Sequence, residues 1–144
     1  MLVIPGESIG KLRFRSSKES VAAQLGPEYS RHDYGDGRES WNFPGDLAVL
    51  FKDGIGLVAV TLDRGPLVLW DKDLFALSDR ELCEWLDDRQ IATSVDRDVW
   101  GDKVIRAAAI GLFAYYAQDD PIPSIEFFVG SWSLGKLVHS EDGV

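Results

Sequence analysis

Covalent chemistry in this chain would have to start from one cysteine, Cys83, and two histidines, His32 and His139. A nucleophile of that kind needs a base within reach and an acid to orient the base. His32 sits in the polar run Ser30-Arg31-His32-Asp33-Tyr34 and His139 near the end of the sequence, while Cys83 lies beside the apolar stripe of an amphipathic segment, where a small buried thiol accounts for it. Two distant histidines and one cysteine supply none of the ligand spacings of a zinc site. Asp71-Lys72-Asp73 opens like a calcium loop, but Phe75, Ala76 and Leu82 fall where that loop needs oxygen ligands and a glycine. The same Asp-x-Asp spacing resembles a metal-nucleotide pair, a spacing that acidic sequences also produce by chance. Gly54-Ile55-Gly56-Leu57-Val58-Ala59 imitates a dinucleotide-binding turn, yet β-forming Val60-Thr61-Leu62 follows where a helix would have to carry the phosphates. A hairpin turn explains both glycines. Carboxylates are plentiful, but nothing singles out one pair for glycosidase chemistry. The expectation is no catalytic residue, no metal ligand and no cofactor.

Binding chemistry is easier to locate. The 144 residues carry 24 acidic and 15 basic side chains, a formal charge of −9. Ordinary nucleic-acid binding depends on clustered Lys and Arg that neutralise phosphates, so no nucleic-acid partner is expected. From Met1 to Ser40, six acids balance six bases. From Asp71 to Asp102, ten acids face four bases, which places −6 of the total charge in that segment. A concentrated negative surface speeds the approach of a cationic partner and slows that of nucleic acid or an anionic membrane. Within it, Asp96-Arg97-Asp98-Val99-Trp100-Gly101-Asp102 sets a tryptophan among carboxylates on what reads as a loop, and tryptophan is prominent among residues that carry interface energy. The expected partner-binding residues are Glu84, Asp87, Asp88, Asp96, Asp98, Trp100 and Asp102. The other reading of these residues is a solvated acidic face with Trp100 tucked into the core.

Two helices and a series of strands must position these groups. Ser16 or Ser17 can cap a segment with Val21 and Leu25 four apart, closed by Gly26-Pro27, which predicts a helix over 17–25. Ser78-Asp79-Arg80-Glu81 is a capping box with Leu77 and Leu82 placed as a hydrophobic staple, which predicts a second helix over 79–89 with Leu82, Trp85 and Leu86 as its core stripe. Glu39–Phe43, Leu47–Phe51, Leu57–Leu62 and Leu67–Trp70 read as a strand meander, separated by Pro44-Gly45, Asp53-Gly54 and Arg64-Gly65-Pro66. Val104–Ala109, Gly111–Ala117 and Ser124–Val129 form a second set, and Trp41, Phe43, Phe51, Phe113, Tyr115, Phe127 and Phe128 within these runs are expected to be mostly core.

This length suffices for one domain, which buries roughly 70% of its unfolded surface without metals or disulfides. The longest run free of charged and strongly polar side chains, Ala107–Ala117, has 11 residues, against the roughly 20 of a membrane-spanning helix. The sequence starts Met1-Leu2-Val3-Ile4-Pro5-Gly6 without a basic leader, and one cysteine allows no internal disulfide, so the expected location is the cytoplasm, away from membranes. Phe14 and Phe75 each precede a serine by three residues, Ser17 and Ser78, with aliphatics four and eight further on. The expected fold is α+β, with tandem helix-plus-antiparallel-sheet repeats over 9–70 and 71–134, helices packed on one face of a meander sheet, in a single domain over 1–134 followed by a flexible tail over 135–144.

Gly10-Lys11-Leu12-Arg13-Phe14, the helix closing in Leu25-Gly26-Pro27 and then Trp41-Asn42-Phe43-Pro44 resemble the repeat of the small α+β module shared by β-lactamase inhibitor proteins and outer-membrane assembly lipoproteins. Asp73-Leu74-Phe75-Ala76-Leu77-Ser78, with Glu81-Leu82, Glu84-Trp85-Leu86 and Gly111-Leu112, is similar to small cytoplasmic immunity proteins of bacterial polymorphic and contact-delivered toxin systems. Together these stretches span nearly the whole sequence. Arg15 stands where the module often has glycine, so the turn into the first helix can differ. The resemblance implies a non-enzymatic immunity protein that binds and occludes a cognate toxin domain, one whose basic cleft an acidic surface complements. The alternative is a small-ligand-binding domain or small enzyme with a carboxylate and aromatic site on the concave sheet face.

Overall fold

The structure is a computed structural model and describes residues 1–28, 30–98, 101–118 and 122–130. In chain order the strands are β1 (Leu2–Ile4), β2 (Ser8–Ile9) and β3 (Leu12–Arg13), then helix α1 (Lys18–Leu25), then β4 (Ser30–Asp33), β5 (Arg38–Phe43), β6 (Leu47–Lys52) and β7 (Gly56–Leu62). There follow β8 (Val68–Leu69), β9 (Lys72–Asp73), helix α2 (Asp79–Asp88), β10 (Ser94–Arg97), β11 (Lys103–Ala107), β12 (Leu112–Tyr116) and β13 (Ser124–Phe128). Short 3-10 turns at Leu74–Ala76 and Ala108–Ile110 complete the described elements. Among the described residues this is a mixed α+β fold dominated by sheet, with two α-helices.

Both helices start where their caps are written. Ser17 accepts from the Ser20 amide, and the positive φ of Gly26 ends α1. At α2 the box closes in both directions: the Glu81 amide donates to Ser78 Oγ at 3.2 Å and the Ser78 amide donates to Glu81 Oε1 at 3.0 Å. Its other end closes as a Schellman turn, with Gln90 at φ +62 and the Ile91 amide donating to the Leu86 carbonyl at 2.9 Å. Leu82 and Leu86 are fully buried, as the stripe predicts, while Trp85 is only half-buried.

The strands do not divide into two separate sheets, one per half. All of β4–β7 and β10–β13 join in one antiparallel sheet of eight, in the order β10-β11-β12-β13-β7-β6-β5-β4, with β13 beside β7 at its centre. A second sheet of five short strands, in the order β3-β2-β1-β8-β9, takes its first three strands from the start of the chain. Its β8–β9 hairpin, which pairs Val68 with Asp73 and Leu69 with Lys72, runs across residues 70 and 71. Consecutive strands β4–β7 and β10–β13 each run as a meander, and the expected first meander is corrected at its end, since Val68 and Leu69 of the run Leu67–Trp70 form β8 of the small sheet. Strands two or three residues long carry no readable period of two, and polar β4 and β10 gain their strand character from a neighbour's hydrogen bonds.

Register decides what each face carries. One face of the large sheet presents Ile105, Leu112, Phe127, Val60, Val49 and Trp41, all buried. Glu39 and Lys103 share that face. Lys18 of α1 reaches Glu39 at 2.6 Å, and Asp79 of α2 meets Lys103 at 2.5 Å. The small sheet contributes Val3, Ile9, Leu12 and Leu69 to the same core. Gly56, at φ +101, fixes the approach of the chain leading into α1: a β-carbon there would lie 2.5 Å from the carbonyl oxygens of both Arg15 and Ser16. Arg15 itself adopts φ +72, so the turn keeps the left-handed conformation that glycine favours. Of the aromatics expected in the core, Trp41, Phe43, Phe51, Phe113, Phe127 and Phe128 are buried and Tyr115 is half-buried.

Candidate interaction surface

Of the acids expected to meet a partner, α2 carries Glu84, Asp87 and Asp88, all exposed. Glu84 accepts from Arg80 at 2.9 Å, one helical turn back. Asp87 and Asp88 extend the array towards the helix end. A helix closed at both termini holds these carboxylates in fixed relation, so the field they create is not averaged by motion of the backbone.

The remaining acids lie elsewhere. Asp96 is on β10, pairs with Arg106 at 3.0 Å, and by register shares a sheet face with Val104 and Tyr115, away from Lys103 and α2. Asp98 and Asp102 build the turn between β10 and β11: the Asp102 amide donates to Asp98 Oδ1, and the Asp98 amide donates to the Asp102 carbonyl, each at 3.0 Å. These two carboxylates are half-buried. Trp100, together with Val99, lies outside the described residues. So the structure brings Glu84, Asp87 and Asp88 together and sets Asp96, Asp98 and Asp102 apart from them.

Beside the helical acids is a cluster that the pattern of residues did not announce. Trp70, in the turn between β8 and β9, is 42% exposed and its ring centroid lies 5.7 Å from that of Trp85 on α2. The Arg89 guanidinium stands 4.8 Å from the Trp70 ring and 4.9 Å from the Trp85 ring, and donates to Asp71 at 2.9 Å. The i,i+4 spacing of Trp85 and Arg89 was visible in the sequence, but their meeting with Trp70 needs the hairpin to turn between Trp70 and Asp71.

Charge pairing anchors both helices electrostatically. The Lys103 ammonium beside Asp79 holds that carboxyl below the usual range, and Lys18 does the same for Glu39, whose carboxylate in turn raises Lys18. Burial pushes the Cys83 thiol up, which disfavours the thiolate a nucleophile requires. His32, exposed on edge strand β4, stacks edge-on against Tyr34 at 4.4 Å and stands at the opposite edge of the sheet from β10. No group of three or more potential metal-ligating side chains occurs among the described residues.

On the sheet face away from the helices, Arg106, Phe113, Glu126 and Thr61 lie in one row across β11, β12, β13 and β7. Glu126 is 1% exposed and accepts from Thr61 Oγ1 at 3.2 Å. The nearby Tyr115 hydroxyl is buried without a hydrogen-bond partner and is held strongly protonated, chiefly by desolvation with the Glu126 carboxylate adding to it. Comparison with protein-family models, curated proteins and solved structures finds no match to this chain. Among the described residues, no helix is long and apolar enough to cross a membrane.

Proposed function

We propose that this chain is a non-enzymatic, cytoplasmic immunity protein that binds a cognate bacterial toxin domain with a basic cleft, and that its two halves are tandem repeats. The observation that carries the reading is the exposed carboxylate array of Glu84, Asp87 and Asp88 on a doubly capped helix, within the segment that holds most of the excess negative charge. Such an array raises the encounter rate with a cationic domain and excludes anionic partners. The repeat reading is supported by element order: a two-residue-turn hairpin, a helix and four strands occur as β2–β3, α1 and β4–β7, and again as β8–β9, α2 and β10–β13. The test is co-expression with the toxin encoded by the neighbouring gene. Rescue of growth and a stable complex on gel filtration are expected; a chain that neither rescues nor co-elutes overturns the reading.

A second reading has one observation in its favour. The unpartnered Tyr115 hydroxyl beside buried Glu126 is a polar arrangement that a small hydrogen-bonding ligand would satisfy. A thermal-shift screen against nucleotides, sugars and divalent ions tests it, and a saturable rise in melting temperature that Tyr115→Phe abolishes would favour it over the first.

A further inference from the structure

We propose that Trp70, Trp85 and Arg89 are the binding hot spot of this chain and enter an apolar recess, rimmed by lysine and arginine, on the partner protein. This rests on the immunity reading and names the contact that holds the complex together. The first support is a comparison within the molecule. The β2–β3 hairpin turns through Gly10-Lys11 with Gly10 at φ +58, and the β8–β9 hairpin turns through Trp70-Asp71 with Trp70 at φ +56. The same two-residue turn is thus made once with the residue suited to it and once with a bulky side chain for which the left-handed region is an outlier. Tryptophan at that position gains the contacts with Trp85 and Arg89 but strains the turn that holds it. Strain of this kind persists where function requires the side chain.

The second support is how the ring is held. Arg89 stacks on both indoles and is itself fixed by Asp71, so the cluster is ordered before any partner arrives and loses little freedom on binding. Rigid aromatics with an arginine are the composition of interface hot spots. The third is charge: Arg89 balances Asp71, and the exposed Asp87 and Asp88 on the same helix, Asp88 three residues along from Trp85, leave the border of the cluster negative. A recess that takes an indole between those carboxylates needs a cationic rim.

The experiment measures association and dissociation rates against the purified toxin domain encoded by the neighbouring gene, with thermal melts of each variant. Trp70→Gly suits the turn, and Trp70→Asn, which also tolerates positive φ, is the second variant. Both are expected to melt within a few degrees of wild type, to associate at nearly the wild-type rate and to dissociate at least about 30-fold faster. If wild type binds and both variants dissociate within about twofold of it, the hot spot is overturned while the immunity reading stands. If wild type forms no complex, both fall.

Discussion

Leu82 and Leu86 tie α2 to the sheet, since each is fully buried on the helix face turned to the core. Leu86→Ala is expected to cost about 2–5 kcal/mol, the range for deleting a buried leucine side chain, and urea denaturation followed by circular dichroism checks it. Ser78→Ala removes the acceptor for the Glu81 amide and half of the capping box, with an expected loss of about 1 kcal/mol in the same assay. Acid sensitivity belongs to the pairs. Asp79 and Glu39 have folded-state values below their unfolded ones, so the stability they contribute is present above the ordinary carboxylate range and lost as pH falls through the lower folded values. Lys18 runs the other way: raised in the folded state, it contributes below its ordinary value and loses that contribution as pH rises past it. Melting temperatures taken between about pH 5 and pH 2 should fall less steeply for Asp79→Asn than for wild type, by an amount within about 1 kcal/mol for half-exposed pairs.

At the scale of elements, α2 and the β10–β11 hairpin present their acids on different sides of the sheet. Reversing Asp87 and Asp88 together is expected to slow association with a cationic toxin domain by about tenfold at low salt and to flatten its salt dependence, while dissociation changes little. Reversing Asp96, which faces the other way and is bound to Arg106, is expected to change association by less than about twofold. Stopped-flow mixing at two ionic strengths separates the two outcomes, and a larger effect from the Asp96 variant than from the Asp87 and Asp88 variant would place the binding surface at the strand edge. Helix α2 was legible because its signals are local: the cap, the box and the i,i+4 leucines all lie within eleven residues. The strand runs of β5–β7 and β11–β13 were legible to within about two residues because their apolar residues outnumber what a loop carries. The sequence could not show Trp85 as half-exposed, because its spacing fits the core stripe and its ring is met by Trp70 of a hairpin distant along the chain.

For the molecule as a whole, the decisive contact is between β7 and β13, which pairs Phe127 with Val60 and Ile125 with Leu62. Through it the apolar faces of both halves form one core, so a cooperative unfolding transition is expected and Gly56→Ala, which drives a β-carbon into backbone oxygens, should lower the single melting temperature rather than produce a second transition. Composition, charge, both helix starts and most of the long strands follow from the amino-acid sequence because they depend on residues close together along the chain. The order of the strands, the five-stranded sheet, the faces on which the acids fall and the Trp70-Trp85-Arg89 cluster depend on which distant segments share hydrogen bonds. A pairing shifted by one residue moves every side chain to the other face, and that register is fixed only when the strands meet.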